Sequence, residues 1–118
     1  MSAKVRVTFK TYYLLSDRFQ NDLKKILGES VSAVYALRIK EDEVEVSIME
    51  AVMSLPENII SVIVDMPHHP SYSQVTLEKL AVAVADNIAK ITSSGNTVEC
   101  VIREEILSRK SVGKVAEM

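Results

Sequence analysis

Both histidines of this chain, His68 and His69, fall in one stretch, 65-DMPHHPSYSQVTLEKL-80, together with Pro67, Pro70 and Tyr72. An imidazole exchanges its proton near neutral pH, so either histidine could act as a general base. Zinc binding is the competing chemistry, and it needs three or four ligands. Side chains of adjacent residues in an extended loop diverge, and Asp65 or Cys100 could join them only through folding. No ligand-spacing motif supports that, so no metal and no cofactor is expected. The plain alternative is a stiff turn. Proline fixes its own φ and pushes the preceding residue, here Met66 and His69, away from helical geometry.

Other candidates are cationic or aromatic. Arg6, Arg38 and Arg103 lie on or near apolar strand patterns. A guanidinium there could clamp a carboxylate through two parallel hydrogen bonds, or pair with Glu99, Glu104 or Glu105. Tyr12 and Tyr13 could line a pocket with an apolar ring and a hydroxyl, or pack against the helix that follows; Tyr72 has the same two readings. Cys100 sits in an apolar run and reads as a buried filler, because a reactive thiol needs exposure and a lowered pKa. One cysteine cannot form an internal disulfide. Arg109 and Lys110 read as a solvated basic patch. Gly113, in SVGK, lacks the glycine-rich spacing of a phosphate loop, so nucleotide binding has no support.

These groups need a scaffold. The 118 residues, 47% apolar and 25% charged, suit one globular domain. A net charge of -2 gives no reason to expect a nucleic-acid partner. No apolar run nears the roughly 20 residues that span a membrane. The opening MSAKVRV has no signal-peptide core, so a cytoplasmic setting is expected.

Val5, Val7 and Phe9 alternate with Arg6 and Thr8, the period of a half-buried strand. Ser16 can cap a helix with Asp17 in its first turn and Phe19, Leu23, Ile26 and Leu27 on its apolar stripe. Gly28 is expected to stop it. Residues 31–39 (VSAVYALRI) read as a strand, Glu41, Asp42 and Glu43 as an acidic turn, and 44–48 (VEVSI) as the return strand of a hairpin. Residues 49–55 could extend that strand or form a short helical turn. Near-continuous branched residues over 59–66 suggest a central strand covered on both faces. A second helix spans 77–91, with Leu77, Leu80, Ala81, Val84, Ile88 and Ile91 on one stripe. Ser94, Gly95 and Asn96 end it. Residues 97–106 return as a strand, and the tail from Ser108 is weakly patterned.

This order makes two β-α-β units, over about residues 4–48 and 59–106, in a single domain. The expected fold is α/β: a two-layer sandwich with two helices on one face of a mixed four-stranded sheet, plus a possible short hairpin. The uncovered sheet face reads as apolar and is expected to be buried by self-association.

Residues 79–106, KLAVAVADNIAKITSSGNTVECVIREEI, combine an amphipathic helix, a short turn and a strand of the form V-x-V-x-I-x-E, here Val98, Cys100, Ile102 and Glu104. This segment resembles the tautomerase superfamily, the group that includes 4-oxalocrotonate tautomerase and macrophage migration inhibitory factor. The resemblance covers residues 59–113 best and the first half as a second β-α-β copy. It implies a homotrimer of two-unit subunits. Enzymes of that family use the secondary amine of an N-terminal proline as general base, and commonly use arginines for acidic substrates. This sequence opens Met1, Ser2, Ala3, and the nitrogens of Pro56, Pro67 and Pro70 are amides with no basic lone pair. Proline-dependent tautomerase activity is therefore not expected. Three functions stay open. One is a tautomerase-like oligomer that binds a small carboxylate through residues such as Arg38, Arg103 and the tyrosines. Another is an isomerase-type enzyme with His68 or His69 as base. The third is a ferredoxin-like interaction domain, whose strands would pair antiparallel around the helices.

Overall fold

Alternation along the strands decides which way the sheet faces. In strand β1 (Val5–Lys10), Val5, Val7 and Phe9 are buried while Arg6 is exposed. Strand β3 (Ile59–Pro67) alternates over its whole length, burying Ile60, Val62, Val64 and Met66. The computed structural model describes residues 5–92 and 95–105, and the backbone of 116–117. The remaining elements are helix α1 (Asp17–Ser32), 3-10 turns at Tyr35–Leu37 and Glu41–Glu43, strand β2 (Val44–Met49), helix α2 (Gln74–Ile91), strand β4 (Thr97–Glu105) and a short strand β5 (Ala116–Glu117).

The sheet order is β2-β1-β3-β4-β5. β1 and β2 are parallel around α1, and β3 and β4 are parallel around α2. The inner pair β1–β3 is antiparallel, with Arg6 opposite Asp65 and Lys10 opposite Ser61. Parallel pairing around each helix is not the arrangement of a ferredoxin-like domain. The antiparallel seam also has a consequence for function. β1 and β3 run in opposite directions, so the loops that follow them leave from opposite ends of the sheet.

Both helices cover the inward face and touch each other. Leu23, Leu27 and Val31 of α1 and Leu80, Val84 and Ile88 of α2 are fully buried against the strand residues. Each such aliphatic side chain contributes about 1.5–3 kcal/mol. Both helices open on a serine. Ser16 Oγ accepts the Phe19 N–H at 3.1 Å, and Ser73 Oγ accepts the Thr76 N–H at 3.1 Å.

Two expectations fail between these helices. α1 does not stop at Gly28 but runs to Ser32, and residues 31–39 form no strand or hairpin. The reason is the helical stripe, which Val31 continues at i+4 from Leu27. Gly28 serves packing instead. A Cβ there would lie 3.0 Å from Glu41 Cγ, so the missing side chain lets the second 3-10 turn pack on the helix. Leu37 and Ile39 reach the core from the turn rather than from a strand. After β2, residues 50–55 neither extend the strand nor form a helix. They make a loop with one turn, in which the Leu55 N–H donates to the Val52 carbonyl at 3.0 Å.

The outward face is also more polar than expected. Glu45, Arg6, Asp65 and Arg103 are lateral neighbours on successive strands, a row of alternating charge. Half-buried Ile63 and Val101 provide the apolar part. No helix among the described residues is long and apolar enough to cross a membrane.

Candidate active site

β3 reaches Pro67 and Ser73 caps α2, so residues 68–72 must turn the chain. The ladder continues one step beyond β3, where the His68 N–H donates to the Glu105 carbonyl at 2.7 Å. Alternation on β4 puts Cys100, Ile102 and Glu104 inward, and Glu104 is only 3% exposed. Its lateral neighbour is Met66, which brings the carboxylate to the end of β3. There Glu104 Oε2 lies 3.0 Å from His68 Nδ1, in a pair whose side chains are 38% (His68) and 4% (Glu104) exposed. An ionised carboxylate only accepts, so the proton of a neutral His68 sits on Nδ1 and its lone pair on Nε2.

His69 is held the opposite way. Its Nδ1 accepts the Ser71 N–H at 3.1 Å and lies 2.6 Å from Ser71 Oγ. An acceptor Nδ1 places the proton of a neutral ring on Nε2, which makes His69 a donor outward. The His69 ring packs on Tyr72, with centroids 5.2 Å apart. The Tyr72 hydroxyl donates to the Leu37 carbonyl at 3.0 Å, tying this loop to the 3-10 turn before β2. Between them lies a cleft of about 650 Å³ lined by Tyr35, Leu37, Arg38, His69, Ser71 and Tyr72. Arg38 stands at φ 54°, ψ 42°, a left-handed conformation unfavourable for a residue with a Cβ. Its guanidinium makes no hydrogen bond or ion pair with any described residue.

The fold thus brings Arg38, His69 and Tyr72 into one cleft, with His68 next in the chain. It keeps the other candidates apart. Arg103 points to the open sheet face, where Nε and Nη2 grip Asp65 at 2.7 and 2.9 Å. Its hydrogen-bonded ion-pair partner is therefore Asp65, and that bond, with a smaller attraction from Glu105, pushes the guanidinium pKa up. Tyr12 and Tyr13 meet edge to face, 5.4 Å apart, in the loop after β1. Tyr13 borders a separate pocket of about 460 Å³ with Phe9, Thr11, Phe19, Ile60 and Ile91. Cys100 is fully buried, and desolvation pushes its thiol up to about 12, so it is an inert core residue. Among the described residues no three His, Cys, Asp or Glu side chains cluster as metal ligands. Arg109, Lys110 and Gly113, and the opening Met1, Ser2 and Ala3, lie outside the described residues.

No protein-family model and no curated protein matches the sequence. Solved structures match it in shape. Native fused 4-OT superposes with a TM-score of 0.71 at 12% identity, over 94% of this chain and 95% of that one. Leishmania major MIF2 superposes with a TM-score of 0.67 at 14% identity, over 100% of both chains. The fold is that of the tautomerases. A third tautomerase structure, Q0 fused 4-OT in its wild-type symmetric trimer, gives 0.63 at 15% identity, over 92% and 94% of the chains. At such identities the likeness is one of backbone, so the chemistry rests on this chain's own side chains.

Within this tautomerase fold, Glu104 is the site residue that sequence reasoning assigns wrongly, as a partner for arginine. The signal is nonetheless present. Its parity with Cys100 and Ile102 puts a carboxylate on the apolar side of a strand, where a polar partner is obligatory.

Proposed function

We propose that this chain is a tautomerase-like homo-oligomer, a trimer, that binds a small carboxylate in the cleft between the Tyr35–Leu37 turn and the loop after β3. One observation carries the reading: the Arg38 guanidinium has no partner among the described residues and shares a cleft with His69, whose Nε2 is the donor nitrogen of a neutral ring. A guanidinium fork matches a carboxylate through two hydrogen bonds, and a second donor beside it fixes the ligand's orientation. Tyr35 and Tyr72 supply apolar walls for a small organic acid. The trimer draws support from the symmetric fused 4-OT trimer and from the alternating row Glu45–Arg6–Asp65–Arg103, which offers both signs of charge to a second copy. Pro56, Pro67 and Pro70 offer no base, since the nitrogen of each is an amide in this chain.

Titration calorimetry with pyruvate and with malonate tests the cleft. Saturable binding is expected, weakened roughly tenfold or more in Arg38→Gln, a loss of about 1.4 kcal/mol. Equal binding by the variant would sink the reading. Light scattering should give three times the mass of one chain; a monomer would remove the trimer.

A further inference from the structure

We infer that His68 and Glu104 form a proton-transfer pair, in which His68 Nε2 is a general base for small carbonyl acids with hydrogens beside the carbonyl. The inference rests on the carboxylate-binding reading for its substrate class, but its geometry is independent of the cleft. Glu104 is a carboxylate on the core side of the sheet, 3% exposed, and its one partner among the described residues is the His68 imidazole. A buried charge is retained only where something uses or satisfies it. This one accepts a hydrogen bond from Nδ1–H, which leaves the basic lone pair on the other nitrogen of a ring that is 38% exposed. The arrangement orients the base, fixes its tautomer and places a negative charge beside the imidazolium that forms. The adjacent residue supports a division of labour. Ser71 fixes His69 in the opposite tautomer, so consecutive imidazoles present one acceptor and one donor nitrogen.

The step balances without a co-reactant. His68 Nε2 takes a proton from the carbon beside the carbonyl. The C–H electron pair becomes the C=C bond of an enolate, and the carbonyl π pair moves to oxygen. The imidazolium then returns its proton to that oxygen, giving the enol and restoring the base. Glu104 touches neither substrate nor reacting atom, and acts as a positioning residue.

Two measurements on the full chain test this. Imidazole ¹⁵N correlation spectra report tautomers directly; neutral His68 is expected with its proton on Nδ1 and neutral His69 with its proton on Nε2. His68 protonated on Nε2 would overturn the inference. Exchange of pyruvate methyl protons into D₂O, followed by proton spectra, reports the base. Wild-type protein should accelerate exchange, His68→Asn should fall about a hundredfold or to background, and Glu104→Gln should lower kcat at least about tenfold with KM held. Background exchange in the wild type, full exchange in His68→Asn, or a Glu104→Gln effect confined to KM would each reject the pair. Arg38→Gln separates the two readings. A raised KM supports the cleft, whereas unchanged kinetics there would remove the cleft and leave the His68–Glu104 pair standing.

Discussion

The loop after β1 and the loop after β3 leave equivalent strands and end on equivalent caps, Ser16 and Ser73, yet they use their polar groups differently. The first is consumed by its own backbone. Thr11 donates to the Met49 carbonyl at 3.1 Å and accepts from Val52 at 2.9 Å, while Tyr13 accepts from Ala51 at 3.2 Å. Glu50, just past β2, takes the Leu15 N–H at 2.6 Å on one oxygen and the Gln20 amide at 3.0 Å on the other. The second loop is also met by an inward carboxylate from its unit's second strand, but Glu104 holds an imidazole instead of a peptide N–H. In one unit the acid closes a loop. In the other it holds an imidazole, next in the chain to His69 of a cleft whose Arg38 has no partner among the described residues. On the proposed reading the two β-α-β units separate the demands of folding from those of chemistry, and the antiparallel seam puts the two loops at opposite ends of the sheet.

Matched substitutions should break this symmetry most visibly at the two acids. Glu50→Gln exchanges one of two occupied acceptor oxygens for a donor and is expected to cost about 1–2 kcal/mol. Glu104→Gln is expected to cost under about 1 kcal/mol, because the half-exposed His68 ring can turn to water for its lost charge-assisted bond. Urea denaturation checks both. Equal costs would mean that Glu104 is a structural staple like Glu50.

At the caps the two units should instead agree. Ser16→Ala and Ser73→Ala each remove one acceptor from an N-terminal N–H and should each cost about 1 kcal/mol. Ser73 Oγ also lies 3.0 Å from Thr76 Oγ1, so a Ser73→Ala effect well above that of Ser16→Ala would show the hydroxyl pair to be part of the cap.

Much of this division is written in local periodicity. Alternation in β1, β3 and β4, and the stripe of α2, depend on which side chains face the core, and a single sequence displays that. The stretch 31–39 is different. Its branched and aromatic residues suit a strand, but Val31 completes the stripe of Leu23 and Leu27, and burial outweighs propensity. Gly28 looks like a stop because the approach of Glu41 is a tertiary fact. The site was half legible. His68, His69, Arg38 and Tyr72 stand out by type, but their grouping depends on a Tyr72–Leu37 bond that joins residues 35 apart in the chain. Arg103 and Tyr13 have suitable chemistry too, but sheet register assigns Arg103 to the Asp65 pair, and the loop after β1 carries Tyr13 to the far pocket.

The smallest expected effect gives the cleanest comparison. Among the described residues two non-glycines adopt left-handed backbone, Arg38 at φ 54° and Ala51 at φ 51°, one before and one after β2. In both, a Cβ crowds the backbone at a cost of roughly 1–2 kcal/mol, while glycine loses more chain entropy on folding. Arg38→Gly and Ala51→Gly should therefore each raise stability by only about 0.5 kcal/mol or leave it level, read as a shift in the urea midpoint. Carboxylate binding should separate them. Ala51→Gly should retain it in full, because Ala51 belongs to the loop that serves folding. Arg38→Gly should lose it while the backbone is, if anything, more relaxed. That combination would mean that Arg38 keeps a strained position for its guanidinium. A variant that lost stability and binding together would instead make Arg38 a structural residue, and the two ends of the sheet would no longer differ in kind.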